Sequence, residues 1–241
     1  MSKLEFLNPE GLRIDGRRPE ELRKITCKMG IFPRADGSAY FQQGNTKAIA
    51  TVYGPREVNL KSKALHDRAI INCEYSMATF STGERKKKTK GDRRSTEISL
   101  IIRQTFESAI MTTLFPRSQI DIYVQILQAD GGTRCAAINA ATLAIINAGI
   151  PMKDFVCSCA AGCIDGTPIL DLNYLEDSAG GPDLPLAILP ETSSVVMLQM
   201  DSKLPLDLFE KVLNLAIQGC KAIHSVMLKE VTNHTNQLVQ S

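Results

Sequence analysis

A strand pattern, two adjacent glycines and an apolar helix pattern follow one another between residues 120 and 148. Residues 120–126 alternate apolar and polar side chains, which is the period of a half-buried strand. Residues 136–148 are apolar on nearly every side, as in a buried helix. Gly131 and Gly132 lie between these patterns and allow the backbone to bend tightly and approach a ligand closely. The segment therefore predicts a strand-to-helix turn at the two glycines.

The residues of this turn are suited to binding an anion. The free N–H groups and the dipole at the start of a helix favour negative charge. Thr133 adds a hydroxyl, and Arg134 adds a planar guanidinium that can bind phosphate through two hydrogen bonds. Gly132, Thr133 and Arg134 are therefore candidate phosphate-binding residues. From these residues alone, a tight turn with a solvated arginine explains the pattern equally well.

An acidic segment at residues 170–178 reads Leu-Asp-Leu-Asn-Tyr-Leu-Glu-Asp-Ser. Asp171, Glu176 and Asp177 place three carboxylates close together after a turn pattern at 165–168. Paired carboxylates can hold a divalent cation and supply a general acid. An acidic surface loop is the alternative. The apolar residues of the segment predict a partly buried strand, on which carboxylates need partners, and this favours a functional role.

A basic run at residues 85–94 leads into a helix predicted over 95–114. Arg93 and Arg94 lie near the start of this helix, where cations oppose the dipole by roughly a few tenths of a kcal/mol. That cost indicates an anionic partner. For Lys86–Lys90 alone, a solvated charge run that binds polyanions without reading sequence is the better interpretation.

Composition excludes several functions. A net charge of +2 requires any nucleic-acid surface to be local. No long apolar run or signal-peptide pattern is present, so we expect a soluble intracellular chain with no membrane contact. Seven cysteines indicate reduced thiols, and Cys157, Cys159 and Cys163 are interpreted as small core residues, not zinc ligands. Tryptophan is absent, so stacking on aromatic side chains should not dominate RNA binding.

The order of the patterns predicts an α+β fold. Strands are expected over 24–30, 38–43, 46–53, 69–80, 119–128, 155–163, 184–190 and 194–200, with further helices over 134–148 and from Pro205 to about Val231. Pro205 and Asp207 are start signals for the last helix. The polar tail 232–241 is expected to fray. The whole chain, 1–241, is predicted to form one domain.

In this order, the segments resemble the RNase PH family of phosphate-dependent 3′→5′ exoribonucleases. Within the family, the likeness is closest to the RNase PH-like ring subunit that carries the catalytic residues in archaeal RNA exosomes. The resemblance covers nearly the whole chain. Besides the glycine turn and the acidic segment, it rests on GLRIDGRR at 11–18, DGSA at 36–39, GNTK at 44–47, YGP at 53–55, FSTGER at 80–85, RRSTEI at 93–98 and PRSQID at 116–121.

The resemblance implies a fold and a set of residue roles. The fold is a sheet packed with helices, related to the second domain of ribosomal protein S5, and the family divides such chains at about 20–150 and 154–220. Thr133 and Arg134 would bind inorganic phosphate, the co-substrate. Asp171 and Asp177 would be the two catalytic, metal-associated aspartates. Asp171 is the candidate acid and Asp177 the candidate Mg²⁺ ligand, and the reverse assignment stays open. The RNA would be held by Arg93, Arg94, Lys61 and Lys63.

The resemblance also implies partners and a location. The partners would be related RNase PH-like subunits in a six-membered ring, RNA-binding cap subunits and single-stranded RNA 3′ ends. The location would be the nucleus and nucleolus, and also the cytoplasm. Two functions remain open from the sequence. One is a phosphorolytic enzyme that works with a partner subunit; the other is a non-catalytic, RNA-threading subunit whose ring relies on attached hydrolytic nucleases.

Overall fold

The structure is a computed structural model that describes residues 6–8, 10–58, 62, 64–85 and 92–240. Nine strands lie within these ranges: β1 Ile25–Met29, β2 Gly37–Gln43, β3 Thr46–Glu57, β4 Ile70–Met77, β5 Ser118–Gln128, β6 Cys157–Ile164, β7 Thr167–Leu170, β8 Asp183–Leu189 and β9 Ser194–Leu198. Four α-helices accompany them: α1 Arg93–Ala109, α2 Thr133–Asn147, α3 Tyr174–Ser178 and α4 Leu206–Gln240.

The first five strands form one sheet in the order β1-β2-β3-β5-β4. Neighbours are antiparallel except β4 and β5, which run parallel with α1 in the connection between them. A helical crossover is expected there because parallel neighbours cannot be joined by a hairpin. Alternate residues of β3, including Ala48, Ala50 and Val52, face the core.

The remaining strands form a second, antiparallel sheet in the order β7-β6-β8-β9. Helix α2 contacts β2 and β3 of the first sheet and β6 of the second, so it lies between the two sheets. Its residues 135–145 are all buried, which explains why the sequence shows no polar face there. The start of this central helix is therefore held by both sheets. The α+β fold predicted from the sequence is confirmed.

Several boundaries differ from the sequence prediction. Helix α1 ends at Ala109, not 114, because the chain at Ile110 and Met111 pairs with residues 151–152; a 3-10 turn follows at Thr112–Leu114. The turn pattern at 165–168 is the hairpin between β6 and β7. The acidic segment, expected to be a strand, ends in the five-residue helix α3, which the sequence analysis missed.

The tail predicted to fray is helical. Helix α4 continues past Val231 to Gln240. The hydroxyls of Thr232 and Thr235 donate to the carbonyls four residues earlier, each at 2.8 Å. His234 also lies against the end of α2, with its Nε2 3.1 Å from Nδ2 of Asn147. These contacts supply the partners that the polar sequence did not reveal.

The cysteine prediction agrees with the structure. Cys157, Cys159 and Cys163 are buried in the main core, and burial raises the pKa of Cys157 and drives that of Cys159 far above the usual range of a thiol. Among the described helices, none is both long and apolar enough to cross a membrane.

Candidate active site

The two glycines shape the start of α2. Gly131 has φ +73°, and a Cβ added there would lie 2.5 Å from the carbonyl oxygen of Leu172. Gly132 has φ +63° and is the N-cap of α2, which begins at Thr133. Only glycine adopts these conformations without strain, and only glycine leaves room for the acidic segment. The first N–H groups of α2 have no partner within the helix and are available to a ligand.

Arg134 extends from the first turn of α2 and is half-buried. Its Nη1 donates to Oε1 of Gln199 at 2.8 Å, and Nε2 of Gln199 donates to Oε1 of Glu97 at 3.3 Å. Across the described part of the chain, Arg134 forms no ion pair with a carboxylate. The guanidinium is thus held in place by a neutral side chain and keeps its charge for an anion.

A carboxylate that the sequence analysis missed lies beside this arginine. Asp183 is the first residue of β8, and its Oδ1 is buried with no hydrogen-bond partner among the described residues. Burial, together with the charges of Asp177 and Asp201 and against the opposing charge of Arg134, raises its pKa to about 7. The signal in the sequence was an aspartate at the first position of an apolar strand. Asp183 lies five residues after the end of the acidic segment, so the sequence analysis did not assign this residue to the site.

The other predicted catalytic aspartate, Asp177, is exposed on α3 and lies close enough to Asp183 to raise the pKa of that residue. Asp177 and Arg134 thus both lie near Asp183. Its catalytic and metal-binding roles stay predictions.

Asp171 lies beneath the glycine turn and is engaged on both oxygens. Arg23 Nη2 is 2.7 Å from Oδ1, and Arg23 Nε and the Arg23 backbone N–H lie 3.0 and 2.8 Å from Oδ2. Burial alone would lower the pKa of Arg23, but its hydrogen bonds with Asp171 and the nearby charges raise it. Asp171 is 2% exposed and has φ +56°. Its predicted role as the general acid is untested, and this geometry offers it a structural role instead.

The third carboxylate of the acidic segment supports α3. Glu176 is fully buried in an ion pair with Arg13, and Arg13 also donates to the carbonyl of Asp171 at 3.0 Å. Glu176 Oε2 accepts the N–H of Asn173 at 2.9 Å, and the Asn173 side chain caps the N–H of Glu176 at 2.9 Å. This capping box explains how a helix of only five residues can form.

The predicted RNA-binding arginines begin α1, whose Glu97 is linked to Arg134 through Gln199. Arg93 and Arg94 are the first residues of α1 and are exposed, as the sequence predicted for their position. The charges of Arg94 and Arg134 both lower the pKa of the buried Tyr75 hydroxyl, so both guanidinium groups lie near that side chain. The starts of α1 and α2 therefore converge. Lys61, Lys63 and Lys86–Lys90 lie outside the described residues.

The carboxylates suit a hard cation only in part. The described ranges contain no group of three or more histidine, cysteine, aspartate or glutamate side chains placed to hold a metal ion. Asp177 and Asp183 nevertheless offer carboxylate oxygens, and Mg²⁺ is commonly held by one or two carboxylates together with water and substrate phosphates. The site therefore fits a Mg²⁺ ion that substrate helps to bind.

The sequence matches a family of 3′ exoribonucleases along most of its length. The chain matches the models of both domains of the RNase PH 3′ exoribonuclease family, domain 1 over residues 21–151 and domain 2 over residues 154–219. It belongs to this family.

Proteins similar to this chain carry related names. A mouse (Mus musculus) protein named exosome complex component RRP41 is 57% identical over 98% of this chain and 97% of its own length. An Arabidopsis thaliana protein named exosome complex component RRP41 homolog is 58% identical over 98% of each chain. The crystal structure of rice (Oryza sativa) Rrp46 is similar with a TM-score of 0.80 at 25% identity, covering 91% of this chain and 100% of that one.

Proposed function

We propose that this chain is an RNase PH-like subunit of an RNA exosome ring and phosphorolyses RNA from its 3′ end. Family membership and the names of its relatives support the ring assignment. They also support correspondence to the subunit called exosome component four in animals. One observation carries the catalytic assignment: Asp183 has a buried oxygen without a partner among the described residues, and the residue lies close enough to Arg134 for that charge to lower its pKa.

The reaction joins two anions. An oxygen of inorganic phosphate attacks the terminal phosphorus of the RNA, the bond from that phosphorus to the 3′-oxygen breaks, and a nucleoside diphosphate leaves. Arg134, the hydroxyl of Thr133 and the N–H groups beside Gly132 hold the attacking phosphate, while Arg93 and Arg94 hold the RNA. Lys61 and Lys63 are further residues proposed to contact the RNA. Catalysis by position and charge suits such a reaction because little covalent chemistry is required of the protein.

The leaving 3′-oxygen needs a proton, and we assign this proton to Asp183 in preference to Asp171. With a pKa of about 7, the Asp183 carboxyl is substantially protonated at neutral pH. Both oxygens of Asp171, by contrast, accept N–H groups of Arg23. Asp177 would hold Mg²⁺. When bound, that ion would neutralise charge on the phosphate oxygens.

The proposed partners are related RNase PH-like subunits in a six-membered ring, RNA-binding cap subunits and single-stranded RNA 3′ ends, in the nucleus, nucleolus and cytoplasm. A second function, RNA threading without catalysis, is favoured by one contact: Gln199 already engages Arg134 and is itself bonded to Glu97. If the phosphate cannot displace this contact, only the basic RNA path remains in use.

The deciding experiment is a phosphate-dependence assay. The chain, co-purified with its RNase PH-like partner, is given a 5′-labelled oligoribonucleotide with and without inorganic phosphate, and nucleoside diphosphates are measured. We expect shortening only with phosphate, and no shortening by the Asp183→Asn complex. An assembled ring that binds RNA but releases no nucleoside diphosphate would support the threading function.

A further inference from the structure

The side chain of Tyr75 ends in a hydroxyl that lacks a partner. Tyr75 lies on β4 and is only 4% exposed, and its hydroxyl has no hydrogen-bond partner within the described ranges. The residue itself is firmly placed, because its backbone N–H donates to Oγ of Ser99 on α1 at 2.9 Å. An orphaned hydroxyl on a fixed residue is uncommon in a folded protein and calls for an explanation.

The surroundings of this hydroxyl identify where it points. Burial has the largest effect on the pKa of Tyr75 and raises it, while Thr133, Arg94 and Arg134, in that order, lower it. These three residues belong to the starts of α1 and α2. Thr133 acts on the pKa as a hydrogen-bonding neighbour, although its side chain and the tyrosine hydroxyl fall outside the distance and angle of a regular hydrogen bond. The hydroxyl therefore lies within reach of the starts of α1 and α2, where the proposed anion site is located.

The chemistry of these neighbours specifies the missing partner. A tyrosine hydroxyl with a raised pKa is neutral at physiological pH and can donate one hydrogen bond. Its neighbours are two guanidinium groups and the positive end of a helix dipole, which favour a negatively charged acceptor. The oxygens of one tetrahedral phosphate group can accept from the tyrosine hydroxyl and also interact with the two guanidinium groups and the helix end.

We propose that Tyr75 donates a hydrogen bond to an oxygen of the phosphate group bound between Arg94, Thr133 and Arg134. This proposal rests on the anion site of the proposed function but not on catalysis. Both inorganic phosphate and the terminal phosphodiester of RNA supply such an oxygen. The residue would thus add a neutral donor to a site otherwise made of cations and backbone N–H groups.

The test compares Tyr75→Phe with Tyr40→Phe in the complex with the RNase PH-like partner. Tyr40 is a suitable control because its hydroxyl donates to Oε1 of Gln42, a neighbour on its own strand β2, at 2.8 Å. Affinity is measured for inorganic phosphate alone by calorimetry, and for single-stranded RNA without phosphate by fluorescence anisotropy. The thermal midpoint of each unliganded complex is measured as well.

We expect Tyr75→Phe to weaken one of the two affinities about three- to tenfold, the effect of one hydrogen bond, while Tyr40→Phe changes neither. The affected ligand identifies the source of the phosphate. The thermal midpoint of unliganded Tyr75→Phe should be unchanged or higher, because the variant buries no orphaned hydroxyl. A lower midpoint with both affinities unchanged would overturn the proposal and assign the hydroxyl a structural role.

A second measurement keeps the test independent of the Phe variant. With 3-fluorotyrosine placed at position 75, saturating phosphate or RNA should move the fluorine resonance, and a resonance that neither ligand moves overturns the proposal. A wild-type complex that binds phosphate without phosphorolysis would refute the enzyme and leave the role of Tyr75 standing. A complex that binds neither ligand would refute both.

Discussion

The guanidinium of Arg23 holds the carboxylate of Asp171 at both oxygens, with Nη2 2.7 Å from Oδ1 and Nε 3.0 Å from Oδ2. Arg23 also donates to the carbonyl of Asp130, and Thr46, its neighbour, donates to that of Gly131 at 2.8 Å. This buried ion pair therefore fixes the glycine turn against the segment that leads into β1. Asp171 supports the glycine turn with both of its oxygens engaged.

Replacing Arg23 should test this structural role. We expect Arg23→Ala to lower the free energy of unfolding by about 3–5 kcal/mol, because it leaves the Asp171 carboxylate buried and unpaired. Chemical denaturation measures the change. Arg68→Ala is the control, since the Arg68–Asp67 pair is mostly exposed and its removal should matter little. Equal effects of the two substitutions would contradict the structural role.

The pH dependence of stability should reveal Asp183. Its pKa is about 7 in the folded chain and about 4 when unfolded, so its contribution is complete below pH 4 and is lost as pH rises through 7. The free energy of unfolding should fall by at most about 1.4 kcal/mol per pH unit in this window from this group. Asp183→Asn removes that decline and should be the more stable protein above pH 7. Parallel pH profiles for the two chains would show that the carboxyl ionises normally.

The pH dependence of phosphorolysis should respond to Asp201. The charge of Asp201 raises the pKa of Asp183, so Asp201→Asn should lower that pKa. If protonated Asp183 is the acid, activity falls as pH rises through its pKa, and in Asp201→Asn it should fall at lower pH. Rate profiles measured from acid to alkaline pH check this. An unshifted alkaline limb would argue that another group donates the proton.

RNA binding should depend on the start of α1. We expect Arg94→Glu to weaken binding of single-stranded RNA and to reduce the slope of log affinity against log salt by roughly 0.7 for each RNA phosphate that the variant no longer binds. Arg103→Glu is the matched control on the same helix, where Arg103 pairs with Glu107 at 3.2 Å. Arg93→Glu is tested in the same way. If Arg94→Glu and Arg103→Glu change the salt slope equally, the RNA path runs elsewhere.

The glycine turn should not tolerate a side chain. Gly131→Ala strains a φ of +73° and also drives Cβ to 2.5 Å from the Leu172 carbonyl. Gly149→Ala strains a similar φ of +69° but meets no atom within 4 Å, so it isolates the conformational cost of about 1–2 kcal/mol. We expect Gly131→Ala to unfold more readily and to bind phosphate poorly. Denaturation and calorimetry on both variants decide the comparison.

The local sequence pattern was sufficient to predict those elements that are long and periodic. The alternation over 120–126 and the apolar run over 136–148 predicted β5 and α2, because side-chain period reports which faces are buried. The short elements β7 and α3 were missed. Helix α3 has five residues; its capping box of Asn173 and Glu176 is local, but Glu176 is also held in the core by Arg13, 163 residues away. No local signal carries such a contact.

The residue types at the site were visible in the chain, namely a threonine and an arginine after two glycines, an acidic segment, and a basic segment before a helix. Their spatial relations were decided by the tertiary structure. Folding pairs Asp171 with Arg23 across 148 positions and leaves Asp183 with an unpaired oxygen beside Arg134. Burial and partner set whether a carboxylate is a structural anion or a protonated acid, and both depend on the packing of two sheets around α2.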